Sequence, residues 1–180
     1  MDSRPTHRHR LPAWGLGVLL ALFGLAPTAL PAAEGDLEAK VKAAYLYHLT
    51  KFVDWPTPPT REVRICVLGS DAVGGMMAEL ANRQVRDLPL KIEVDTIADM
   101  AQCQVLFIGH GDRRLADILR RLRGAGVLTV SDAEDFARRG GIVGFYLEAG
   151  KVRLEVNPEA ARAANIRISA KLLELARTVP

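Results

Sequence analysis

The sequence is short of most residues that carry chemistry. It has two cysteines, Cys66 and Cys103, and four histidines, of which His7 and His9 fall in the first ten residues. Two cysteines this far apart, with only His48 and His110 beside them, make no metal-ligand pattern, so no metal site is expected. Serine is also scarce. Beyond residue 33 only Ser70, Ser131 and Ser169 occur, with no Gly-x-Ser-x-Gly elbow and no Ser-x-x-Lys, which leaves nucleophilic catalysis without support. The glycine-rich stretch Gly69-Ser70-Asp71-Ala72-Val73-Gly74-Gly75 lacks the Lys-Ser/Thr of a phosphate loop and the spacing of a dinucleotide fingerprint. It could still turn backbone N–H groups toward an anion, but a turn that simply needs glycine explains it as well. No cofactor and no enzymatic activity are expected.

Long hydrophobic runs are nearly absent too. The one candidate, Ala13 to Ala26, holds fourteen residues between Pro12 and Pro27, fewer than the roughly 20 a membrane-spanning helix needs. Arg4, Arg8 and Arg10 precede it and small residues follow it, the pattern of a secretory signal peptide. Residues 1–33 are therefore predicted to be a cleaved signal and residues 34–180 a single exported domain. No cysteine near the cleavage point suggests a lipoprotein anchor, and no Arg-Arg pair suggests twin-arginine export. The whole chain has 24 Lys and Arg against 21 Asp and Glu; removing three Arg and one Asp with the leader leaves 21 against 20. A domain with a net charge of +1 offers no electrostatic case for nucleic acid.

In an exported protein two cysteines more often pair than stay free. Two separate buried thiols are the alternative.

Along the domain, apolar runs alternate with helical patterns. Strands are predicted at 63–69, 90–97, 104–110 and 126–132, with helices at 72–83 and 113–123 between them. Ser131 and Glu134 have the spacing of a capping box for a short helix before Gly140. Residues 141–157 predict a hairpin turning at Ala149-Gly150. Asn157-Pro158 predicts the N-cap and first residue of a helix, and Ser169 caps a last one. The result is an α/β fold, a single domain with a mostly parallel sheet flanked by helices and a C-terminal antiparallel hairpin. Ligands of such sheets favour the crevice beyond the strands' C-terminal ends, where His110 would stand as a base or anion contact. Without a defined carboxylate partner, it reads equally well as a polar loop residue.

Aromatics make up 6% of the chain, yet residues 42–56, KAAYLYHLTKFVDWP, carry five aromatic or imidazole rings. At 100° per residue, Leu37, Val41, Tyr45, His48, Leu49, Phe52, Val53 and Trp55 fall on one arc, and Lys40, Ala43, Tyr47, Thr50, Lys51 and Asp54 on the other. Most of the rings are expected to face the core, His48 included, with Tyr47 and Lys51 outward as candidate contacts.

These 15 residues, followed by ICVLG, CQVLFIG and VLTVSDAEDFARRGGIVGFYLEAGKVRLEVNPEAARAANIRISAKLLELA, resemble the YfiR family of periplasmic proteins over about residues 37–178. His48-Leu49 stand where the family usually has Asn-Phe. The resemblance implies a periplasmic regulator that represses an inner-membrane diguanylate cyclase by contacting its periplasmic sensor region, lowering cyclic di-GMP and biofilm or exopolysaccharide output. It implies a homodimer, and it places Cys66 and Cys103 at a family disulfide. Some relatives carry a second cysteine pair, which this chain lacks. The family's Asn-x-Arg-x-Ser-x-x-Leu-Leu region corresponds to Asn165, Arg167, Ser169, Leu172 and Leu173, with Arg167 and Ser169 as candidate partner or ligand contacts. A small anionic ligand at Arg167 fits the planar guanidinium. The alternative is a periplasmic small-molecule-binding sensor module for another membrane partner.

Overall fold

The computed structural model describes residues 31–180; the leader expected at 1–33 lies largely outside them. Helix α1 (Pro31–Leu49) leads through the two-residue strand β1 (Val53–Asp54) into the central strand β2 (Val63–Leu68). Then follow α2 (Asp71–Ala78), β3 (Gln84–Val85), β4 (Leu88–Val94), β5 (Val105–Ile108), α3 (Leu115–Arg121) and β6 (Leu128–Ser131). The chain closes with β7 (Val143–Glu148), β8 (Lys151–Val156), α4 (Pro158–Ala163), β9 (Arg167–Ile168), α5 (Ala170–Leu175) and β10 (Arg177–Thr178). The main sheet runs β10-β8-β7-β6-β5-β2-β4-β3. Its five middle strands, β7 to β4, are parallel, while β7 and β8 form the antiparallel hairpin. β1 and β9 make a separate antiparallel pair.

β2, β5 and β6 are apolar throughout because both faces of the sheet are covered. Alternating side chains divide between two layers. Ile65, Val67, Val105, Phe107, Leu128 and Val130 face α1 and α2. Cys66, Leu68, Leu106 and Ile108 face Leu115 and Ile118 of α3, Leu122 just after it, and the ring of Phe136. The predicted hairpin is present, and Ala149 and Gly150 both take positive φ, as a two-residue turn of this kind requires. Asn157 caps α4 by accepting from the Ala160 amide at 2.8 Å, and Ser169 caps α5 through the Leu172 amide at 3.3 Å.

Two local expectations change. No helix follows Ser131: residues 133–140 are turns, and the Ser131 hydroxyl donates to the Ile108 carbonyl at 2.6 Å while accepting from the Ala133 amide. Ser131 is fully buried as the last residue of β6, so its hydroxyl is committed to the neighbouring strand before any helix could use it.

The buried stripe of α1 is also rotated from the predicted arc. Ala39, Lys42, Ala43, Leu46 and Leu49 are buried, whereas Leu37 is 63% exposed and His48 is exposed. Large rings draw attention on a wheel, but small alanines let a helix approach a sheet closely. The helix also ends at Leu49. Thr50 is buried with its hydroxyl on the Tyr47 carbonyl, and Phe52 to Trp55 continue as extended chain to which helical periodicity does not apply.

Candidate functional site

α1 runs antiparallel to the strands, so it carries polar residues to both ends of the sheet. At the C-terminal end, Lys42 donates to Asp132 and to Glu38, each at 2.5 Å. Asp132 follows β6 directly and also accepts from the His110 amide at 2.8 Å; its other oxygen lies 3.5 Å from His110 Nδ1. His110 thus has the carboxylate neighbour that sequence alone could not assign, although its side chain is largely exposed. Burial pulls the Lys42 pKa down, but hydrogen bonds to Asp132 and Glu38 outweigh this and hold it above the usual lysine value. A fixed ammonium between two carboxylates is a structural clamp tying α1 to the β6 loop.

The crevice between β2 and β5 is closed by backbone. A Cβ on Gly109 would stand 2.2 Å from the Gly69 carbonyl oxygen, and the Gly109 amide donates to Leu68 at 2.8 Å. The Gly69 amide is taken by Asp95 at 2.8 Å, and the Val73 amide points at Ser70 Oγ. Asp112 packs beside Gly69 and accepts from Arg114; that hydrogen bond, against an opposing contribution from burial, keeps its carboxyl below the usual range. Glycine at Gly109 therefore serves close packing at the switch point, and at Gly69 a positive φ, where a nucleotide-binding protein would leave room for phosphate.

The N-terminal end of the sheet gathers four predicted contacts. Tyr47 is half-buried and donates its hydroxyl to the Gln84 carbonyl at 3.0 Å, while Lys51 Nζ lies 4.5 Å from the centre of its ring. Arg86, in the two-residue turn between β3 and β4, donates to the Val53 carbonyl at 3.0 Å and to Asp54 at 3.1 Å. Asp54 pairs in register with Arg167, and the Ser169 amide donates to the Phe52 carbonyl at 2.9 Å. Tyr47, Lys51, Arg167 and Ser169 thus share one end of the molecule, tied together through β1, while His110 sits at the other. Beside Arg167 an open groove of about 620 Å³ runs along Asp54, Trp55, Pro56 and Arg162. The Trp55 indole, 7% exposed, donates to the Gln104 carbonyl and so presents only apolar surface there.

Cys66 and Cys103 form a disulfide with Cα atoms 6.0 Å apart, and both residues are buried. Among the described residues no group of His, Cys, Asp and Glu could hold a metal ion, and no helix is long and apolar enough to cross a membrane.

A family model described as YfiR/HmsC-like matches residues 39–177, from the first buried turn of α1 to β10. The chain belongs to the YfiR/HmsC-like family. No curated protein matches it. YfiR/HmsC-like proteins form a periplasmic, regulatory and non-catalytic family. Lys42, Asp132 and Arg86 escaped the sequence reading. The first two are 90 positions apart and the clamp exists only once the sheet has formed. Arg86 sits in a turn whose two residues, Arg86 and Asp87, both take positive φ, so no turn glycine marks it in the sequence.

Proposed function

We propose that the protein is exported by a cleaved N-terminal signal and, in the periplasm, represses an inner-membrane diguanylate cyclase by binding its periplasmic sensor region. Binding one sensor conformation more tightly than the other shifts the population toward the inactive cyclase, lowering cyclic di-GMP and with it biofilm and exopolysaccharide output. The observation that carries this reading is the family match over 139 consecutive residues, 39 to 177. The face holding Tyr47, Lys51, Arg167 and Ser169 is the proposed docking surface, His110 a secondary contact at the opposite end, and a homodimer the working state. Since Cys66 and Cys103 are buried, the disulfide acts as a brace rather than an exchangeable switch.

The test is paired. Deleting the gene should raise cellular cyclic di-GMP, and the purified protein should bind the cyclase's periplasmic region in vitro. If it fails to bind and cyclic di-GMP is unchanged on deletion, the reading is wrong. One observation favours a second reading, a sensor module for a small anionic ligand: the groove beside Arg167 has a volume suited to a small molecule. In that case Arg167→Ala should abolish ligand binding, whereas Lys51→Ala, outside the groove, should leave it intact.

A further inference from the structure

The face of the sheet opposite α1 carries a second groove, on the other side of α4 from the groove beside Arg167. α3 and the turns at 133–140 leave a channel of about 510 Å³ between α3 and α4. Its floor is aliphatic, built from Leu115, Leu122, Val127 and Ile142, all buried side chains with no aromatic ring among them. The floor's polar atoms are committed elsewhere. Thr129 Oγ1 accepts from the Ile142 amide at 3.1 Å, and Asn157 bonds to the Ala160 amide and to the Ala137 and Pro180 carbonyls. Among the described residues the only buried side-chain polar atom without a partner is Arg64 Nε, which is not in this groove.

Polar recognition is therefore left to the rim, and the rim is arginine. Arg120, Arg123 and Arg139 line the groove and are exposed. Asp117 pairs with Arg120, and the wall's Glu159 pairs with Arg162. Arg123 and Arg139 have no carboxylate partner among the described residues. The local balance is distinctive for a nearly neutral domain: residues 113–139 hold seven Arg and no Lys, against four Asp and Glu. A ligand here meets a mainly aliphatic floor, whose Thr129 and Asn157 are already hydrogen-bonded, and three guanidinium forks above it against the single carboxylate of Glu159. It must be apolar on one side and anionic on the other, and the forks suit a planar carboxylate.

We infer that the α3–α4 groove binds a single-chain aliphatic carboxylate, its chain laid on the leucine, valine and isoleucine floor and its head held by Arg123 and Arg139. The volume is in the range of small-molecule sites, and the small side chains Ala160 and Ala163 on the α4 wall keep it open. This site is separate from the partner-docking surface, so either can fail alone.

Decanoate, kept below its micellar concentration, is the probe, added to purified disulfide-intact protein with methyl NMR as readout. Methyl resonances of Leu115, Leu122, Val127 and Ile142 should shift together, and decan-1-ol should bind more weakly. Arg123→Gln and Arg139→Gln should each weaken binding by up to about fivefold, the scale of an exposed ion pair. Ala163→Leu should block binding with an unchanged melting temperature. The inference is overturned if decanoate shifts methyls elsewhere or none at all, if decan-1-ol binds equally well, or if the arginine variants bind as before. Co-sedimentation with phosphatidylglycerol vesicles without decanoate-induced shifts would make the face a membrane surface, and arginine-dependent self-association would make it a subunit contact. Either result replaces the ligand site.

Discussion

Three residues decide much of the local energetics. Gly109 has no room for a Cβ beside the Gly69 carbonyl, so Gly109→Ala should force the two loops apart and cost about 2–3 kcal/mol, read from urea unfolding. Lys42 is held between Asp132 and Glu38 with its side chain 10% exposed. Lys42→Met leaves Asp132 without its ammonium partner, holding only the His110 contacts, and should cost about 3 kcal/mol, while the Lys42→Met/Asp132→Asn double variant should recover part of that loss. Full recovery would mean the clamp adds nothing, and no loss in the single variant would mean it does not form. Asp112 supplies a pH dependence. Its folded carboxyl binds a proton less tightly than an unfolded one, so the stability it adds is present above the ordinary value of 3.8 and is lost as pH falls through the depressed folded value. Asp112→Asn should therefore lower the urea midpoint at neutral pH, and the gap to the parent should shrink in acid. A gap that persists unchanged to about pH 2 would assign the effect to packing instead.

At the scale of elements, α1 shows both how far a sequence pattern reaches and where it stops. The helix itself was legible from residues 42–56, but its end was not: the pattern runs on to Trp55-Pro56, whereas the helix stops at Leu49 and Val53–Asp54 is already a strand. The buried face was not legible either, because its register is set by Ala39, Ala43, Leu46 and Leu49 settling on the sheet and by a lysine that Asp132, beyond β6, draws inward. One consequence concerns Tyr47. Its hydroxyl ties α1 to β3, so Tyr47→Phe should lower stability by about 1 kcal/mol and Tyr47→Ala by more, since the half-buried ring also packs on the core. A binding assay on Tyr47→Ala therefore needs Tyr47→Phe and Lys51→Ala beside it. If all three leave affinity for the sensor region unchanged while the protein remains folded, this end of α1 is not the docking surface. Asn157 was readable as a cap from Asn-Pro. Its second role, with the side-chain amide on the Ala137 and Pro180 carbonyls, was hidden because those partners arrive from other parts of the fold.

For the whole molecule, the disulfide and the sheet edges set stability and solubility. The bond closes a loop of sequence separation 37, which in the chain-entropy model stabilises the fold by roughly 4 kcal/mol. Cys66→Ala/Cys103→Ala should lose much of this, and dithiothreitol should reduce the parent slowly until denaturant exposes the bond; rapid reduction in native buffer would contradict its burial. At one edge β10 covers part of β8, with Val179 buried and its amide on the Val156 carbonyl at 2.9 Å. Removing residues 176–180 should bare that edge and promote self-association, since an unpaired strand edge is a template for pairing. Light scattering of the truncated protein, monodisperse or not, decides the point.

The sequence by itself determined the α/β class, the buried strands, the hairpin at Ala149-Gly150 and the caps at Asn157 and Ser169, because each is a local pattern of apolar period or turn chemistry. It also carried the family signature, since that rests on residues in order. Only the tertiary structure decided that the glycine-rich crevice is filled, that Lys42 is buried, and that Tyr47, Lys51, Arg167 and Ser169 meet at one end. It alone also placed Arg120, Arg123 and Arg139 around an aliphatic groove. Those outcomes depend on which distant segments the sheet brings side by side, and neither periodicity nor net charge records them.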